Sequence, residues 1–283
     1  MKFTISIALF LIGKILLGQL LPQFTEYDAN LSIYNPAVTG VKGKMYTNFT
    51  GRNQWTDVQS NPLTCAGLYE HSIGLNSLGG GYMYDQLGLE NNTRVYFNYA
   101  RTITFEKVKL NIGSSLSYSR KSFSPSSINA VDPNDPSILN LDNPLSHMLG
   151  LGLGGSVYND KFESGLGLAN ISSNFSTFGS ENISRPHLYL NAAYKITTSN
   201  YKWRISSLMK TDFSSATVEA QFRSLIKNLV YLGGGARNTM AFHGIIGFQF
   251  LKKLRIAYLY EYEQSFFFQN HNTHEIILSW KLE

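Results

Sequence analysis

From about residue 44 onward, apolar and polar residues alternate with period two. Val108, Leu110, Ile112, Leu116 and Tyr118 alternate with Lys109, Asn111, Gly113, Ser115, Ser117 and Ser119. Ala216, Val218, Ala220 and Phe222 alternate with Thr217, Glu219, Gln221 and Arg223, and Ile256, Tyr258, Tyr260 and Tyr262 with Arg255, Ala257, Leu259, Glu261 and Glu263. Side chains at i and i+2 share one face of a strand, so each segment has one apolar face and one polar or small face. The pattern predicts strands at about 44–54, 63–73, 77–87, 91–104, 107–122, 147–158, 161–170, 185–198, 202–212, 214–226, 228–237, 240–251, 253–264 and 272–282. Most reach about ten residues, the length of a tilted membrane strand rather than the usual five or six.

The connections sort by parity. Those after even-numbered strands are short, as in 74–77, 105–107, 158–161, 226–228 and 251–253, while every long one (55–62, 123–146, 171–184, 265–271) follows an odd-numbered strand. An even count with short turns at one end and long loops at the other predicts an all-β fold, a transmembrane antiparallel up-and-down β-barrel of about fourteen strands. Both termini would be periplasmic and the long loops extracellular. Ile112, Val218, Phe222 and Ile256 should face outer-membrane lipid, with Trp55, Tyr201, Trp203 and Trp280 near the interfaces.

Residues 1–18 read as a cleaved signal peptide: Lys2, an apolar run to Leu17, and a small residue at Gly18. The run is shorter than the roughly 20 residues a spanning helix requires. Loss of Lys2 and Lys14 with it lowers the formal charge of +5 by two, too little net charge to suggest nucleic acid binding. Cys65 is the sole cysteine, so no intrachain disulfide forms. The organisation expected is a signal peptide at 1–18, an N-terminal segment at 19–43 and the barrel at 44–283.

The segment before the first strand, Pro22 to Gly40, is aromatic and carries an Asn35-Pro36 turn signal. It either folds back into the barrel mouth as a plug or trails as a leader. Its residues also carry a family resemblance. Gln23-Phe24, Tyr27, Tyr34-Asn35-Pro36-Ala37 and Gly40, then Arg52, Gln54 and Trp55, and His274-Glu275-Ile276 at the other end, resemble the PorP/SprF family of the Bacteroidetes type IX secretion system. The chain departs from the family pattern at Glu26, where Gln is usual, and at Leu20-Leu21.

That resemblance implies a non-enzymatic outer-membrane accessory of secretion. Its partners would be other secretion components, a secreted cargo such as an adhesin with a type B C-terminal domain (the motility adhesin in gliding relatives), and a peptidoglycan-bound protein on the periplasmic side. The alternative is an outer-membrane channel for small or hydrophobic solutes.

No enzymatic motif stands out. His271-Asn272-Thr273-His274-Glu275 lacks the H-E-x-x-H order, and alternation puts His274 and Glu275 on opposite faces. The Gly-Gly-Gly runs at 79–81 and 233–235 and the Gly-rich stretch at 150–155 lie in strands, where glycine marks bends or close packing. No catalytic residue, metal ligand or cofactor is expected. Charges on the inward parity, notably Arg204, Glu219, Arg223, Arg255 and Glu261, either bond across the lumen and fill it or line a selective pore. For cargo, the expected contacts are Phe266, Phe267 and Phe268 in the last long loop, with Asp132 and Asp135 of the Asp-Pro-Asn-Asp-Pro stretch in the long connection at 123–146.

Overall fold

The computed structural model describes residues 22–123, 145–176, 186–264 and 270–282. Fourteen antiparallel strands close into one barrel, each paired with its chain neighbours and the last with the first. They are β1 Met45–Asn53, β2 Leu63–Ile73, β3 Asn76–Leu87, β4 Glu90–Thr104, β5 Lys109–Phe123, β6 Leu145–Tyr158, β7 Phe162–Ser176, β8 His187–Thr197, β9 Tyr201–Thr211, β10 Ala216–Ile226, β11 Val230–Arg237, β12 Ala241–Phe250, β13 Leu254–Glu263 and β14 His271–Leu282. Count and order agree with the alternation, and most boundaries fall within two residues of those expected. The exception is β7, which runs on to Ser176. Closure between β1 and β14, with Met45 opposite Leu282 and Asn53 opposite His274, leaves no unpaired edge.

Period-two burial follows the sequence pattern. Ile112, Val218, Phe222 and Ile256 all point outward and are about half exposed, while Asn111, Ser117, Ser119, Glu219, Gln221, Arg223 and Glu261 point inward and are buried. Outward apolar side chains are the consequence of a hydrocarbon solvent; in water this wall would be one continuous exposed patch. Tyr201 and Trp203 sit outward together, ring centroids 5.8 Å apart. Trp55 has protein partners at the strand ends. It lies in the connection between β1 and β2, donates its indole N–H to Glu263 at 2.9 Å and packs against His271. The carboxylate satisfies the indole donor at the strand ends.

The inward faces do not enclose an open pore. Residues 24–39 of the N-terminal segment are buried inside the barrel. The sequence shows no extended helical or strand period here, and the chain instead takes three short helical turns: Tyr27–Asn30, Leu31–Tyr34 and Pro36–Val38. The core is therefore the contact between this segment and the wall. Phe24, Tyr27, Leu31, Ile33 and Tyr34 pack against Tyr46, Leu68, Met83, Tyr96, Tyr189 and Leu208 from six strands.

The assigned faces predict a depth-dependent response. Leu116→Lys, on the outward face mid-way along β5, should lower folding stability by roughly 2–4 kcal/mol, whereas Ser122→Lys near the strand end should lower it by about 0–1 kcal/mol. Denaturant titration of refolding into lipid vesicles, read by heat-modifiable gel mobility, measures both. Equal tolerance at the two positions would contradict the orientation.

Candidate functional site

The site is the seam between the N-terminal segment and the lumen wall. It is built first by backbone chemistry at Asn35-Pro36. A residue before proline is pushed to extended backbone, and Asn35 has φ −135° and ψ 106°. Its side-chain oxygen then accepts from the Ala37 N–H at 3.0 Å, and Pro36 fills the first position of the next turn, where no N–H is needed. The Asn35 amide donates to the Gly155 carbonyl at 3.3 Å. The Ala37 carbonyl accepts from Asn111 at 3.0 Å and Ser156 at 3.2 Å. Tyr34 stacks on Tyr189 with centroids 5.0 Å apart and donates its hydroxyl to the Pro22 carbonyl at 2.9 Å.

This docking needs a wall without side chains. A Cβ on Gly113 would lie 2.5 Å from the Ala37 nitrogen; on Gly154 or Gly165 it would strike the Asn35 amide, and on Gly167 the Tyr34 carbonyl. The glycines of β5, β6 and β7 thus form a bed fitted to Tyr34-Asn35-Pro36-Ala37. Gly40 ends the segment at φ +80°, a left-handed conformation that suits glycine, and its N–H donates to buried Glu70 at 2.8 Å.

The second half of the seam is ionic. Arg52 bonds Glu261 at 2.8 Å, Glu275 at 3.3 Å and the Thr25 hydroxyl. Glu275 accepts the N–H groups of Thr25 at 2.8 Å and Glu26 at 3.1 Å. Arg237 joins Glu219 at 3.1 Å and Glu261 at 2.9 Å. On the segment's side, Glu26 and Asp28 take the guanidinium of Arg223, and Asp28 also takes Arg204 at 2.9 Å. Arg204 reaches Glu163 at 2.6 Å as well. Arg52, Glu219, Glu261 and Glu275 are at most 1 % exposed. Charges this buried require partners, and here the segment supplies several of them.

The structure brings Arg204, Glu219, Arg223 and Glu261 into one seam, although through the segment and not only strand to strand. Arg255 stands apart, donating to Ser279 at 3.2 Å beside the Tyr231 ring. Of the residues singled out with the family resemblance, Tyr34, Asn35, Pro36, Ala37, Gly40 and Arg52 meet in the seam, and Trp55 sits at the far rim. Sequence reasoning noted Glu26 only as a departure from the family pattern and missed Asp28, Glu163 and Arg237. Arg237 lies on the inward parity of β11 with Tyr231, Gly233 and Gly235, which was a usable signal. His274 points outward to the Tyr258 hydroxyl at 2.6 Å while Glu275 points in. At the rim, the hydrogen bond from His271 holds the Asp57 carboxyl below its ordinary range. Phe266, Phe267, Phe268, Asp132 and Asp135 lie outside the described residues.

Comparison with known proteins places this geometry. The family model described as "Type IX secretion system membrane protein PorP/SprF" matches residues 17–280. The chain belongs to the PorP/SprF family. Among solved structures, the Ralstonia pickettii toluene transporter TbuX aligns with a TM-score of 0.53 at 10% identity, over 88% of this chain and 92% of that one. The Acinetobacter baumannii outer membrane protein Omp33 aligns with a TM-score of 0.51 at 7% identity, over 85% and 100% of the two chains. At such identities the likeness is one of fold alone. No curated protein is similar enough in sequence to add to this. The PorP/SprF chain is thus an outer-membrane barrel of a type IX secretion family, with its N-terminal segment in its lumen.

Gly167→Val should force the Tyr34 carbonyl off the wall, an overpacking worth about 1–3 kcal/mol. Arg52→Ala removes the cationic partner of Glu275 and one of the two cationic partners of Glu261, for which about 3–5 kcal/mol is expected. Both variants should lower the temperature of the heat-modifiable gel transition, Arg52→Ala more. An unchanged transition in Arg52→Ala would show that the seam does not stabilise the barrel.

Proposed function

We propose that this PorP/SprF protein is a non-enzymatic, plugged outer-membrane barrel that holds, or helps to export, a secreted surface protein at the cell surface. The cargo class is an adhesin-like protein with a type B C-terminal domain, as in gliding motility. The observation that carries the reading is the filled lumen: residues 24–39 are buried in the barrel and bonded to inward side chains from most of its strands. A barrel filled in this way is suited to presenting its rims. In this reading the signal peptide at 1–18 is removed, both termini face the periplasm, and the long connections form the outer rim. Phe266, Phe267 and Phe268, with Asp132 and Asp135, would contact the cargo there, since aromatic anchors ringed by polar residues often carry binding energy. Other secretion components, and a peptidoglycan-bound protein at the opposite end, complete the set of partners.

The second reading is a channel for a small hydrophobic solute, favoured by the fold shared with the toluene transporter. Two measurements separate the readings. Replacing Phe266, Phe267 and Phe268 by Ser should release cargo into the medium while the barrel still inserts; retention unchanged in an inserted variant would move the cargo site elsewhere. In planar bilayers the purified protein should show no steady ohmic conductance. A persistent open pore, or solute flux in vesicles, would favour the channel.

A further inference from the structure

The two ends of the barrel differ in charge. The short connections at 74–75, 105–108, 159–161, 198–200, 227–229 and 251–253 carry Lys107, Lys161, Lys227, Lys252 and Lys253 against only Glu106 and Asp160. Among the described residues, the connections at the other end carry Asp57 and Asp212 and no Lys or Arg. At the basic end, between the segment and the wall, lies a cavity of about 320 Å³. Eight of its lining residues are Lys or Arg and two are acids, Asp28 and Glu163. Both acids are already engaged, Asp28 by Arg204 and Arg223, Glu163 by Lys195 and Arg204. Lys42, Lys202, Lys253 and Arg255 have no carboxylate within ion-pair distance among the described residues. The floor is apolar, formed by Leu31, Val38 and Val41 of the segment.

We propose that this mouth is a docking site for an acidic segment of a partner polypeptide. Its carboxylates would pair with Lys42, Lys202, Lys253 and Arg255, and an apolar side chain would rest on the Leu31, Val38 and Val41 floor. Three observations select this occupant. The cavity that holds these cations is lined on one side by the inserted segment, so an occupant enters the barrel mouth. Exposed Lys44, Lys107, Lys161, Lys227 and Lys252 extend the positive surface over the rim, a footprint wider than one small anion. The mixed cationic and apolar lining matches a chain that carries both kinds of side chain. Long-range attraction to such a surface also speeds encounter, most strongly at low salt. This inference concerns the end away from the long loops, so loss of cargo retention leaves it untouched.

The test uses the mature protein in phosphatidylcholine nanodiscs and a fluorescein-labelled ten-residue peptide of alternating Glu and Leu. Fluorescence anisotropy should show saturable binding that weakens with salt, and a matched Gln-Leu peptide should bind at least about tenfold more weakly, a difference of about 1.4 kcal/mol. The double variant Lys202→Gln/Lys253→Gln, both exposed and so expected to fold, should lose a similar factor while keeping its heat-modifiable mobility. The proposal is overturned by equal binding of the two peptides or by unchanged binding to a folded double variant. Displacement by millimolar inorganic phosphate at constant ionic strength would make this a small-anion site instead, and binding seen only with phosphatidylglycerol present would make it a lipid contact; either result rejects the polypeptide.

Discussion

The guanidinium of Arg52 is the point on which the rest of the structure depends. It starts on the first strand, reaches two carboxylates of the last two strands, and bonds the Thr25 hydroxyl on the way. One side chain therefore ties barrel closure to occupation of the lumen. The cost of removing a guanidinium and carboxylates from water is severe unless the geometry saturates them. Here further partners come from Arg237 for Glu261 and from two backbone N–H groups for Glu275. Those two N–H groups belong to the inserted segment, so emptying the lumen would leave Glu275 without them.

The remainder of the segment follows from the same constraint. An inserted chain must satisfy the amides it buries in the lumen. Asn98 and Asn111 donate to the Ser32 and Ala37 carbonyls, the Tyr46 hydroxyl donates to Ala29, and Glu70 accepts the Gly40 N–H. Close approach of backbone to wall is possible only over glycine, which accounts for Gly113, Gly154, Gly165 and Gly167 along three neighbouring strands. Glu26 reaches Arg223 and the Tyr231 hydroxyl.

Strands were legible in the sequence because lipid on one side and a polar lumen on the other impose alternation over ten or more residues, and parity of the connections then set the topology. The seam was less legible. Alternation tells which face Arg204 occupies but not that its partners are Asp28, 176 residues earlier, and Glu163. A plug and a leader also share one composition; what separates them is the glycine bed, whose meaning depends on knowing that β5, β6 and β7 lie side by side. The partners of Trp55 were equally hidden, because Glu263 and His271, which hold it, come from the far end of the chain.

Amide hydrogen exchange within the N-terminal segment tests the central claim most directly. With the segment seated, the amides of Thr25, Glu26 and Ala37 should exchange on the slow scale of the strand amides around them, because each is bonded and buried. Substituting Arg52 by Ala should speed Thr25 and Glu26 before the strands are affected. Exchange of these amides in the unsubstituted protein at the rate of a free peptide, with the barrel amides still protected, would contradict a lumen filled by its own N-terminal segment.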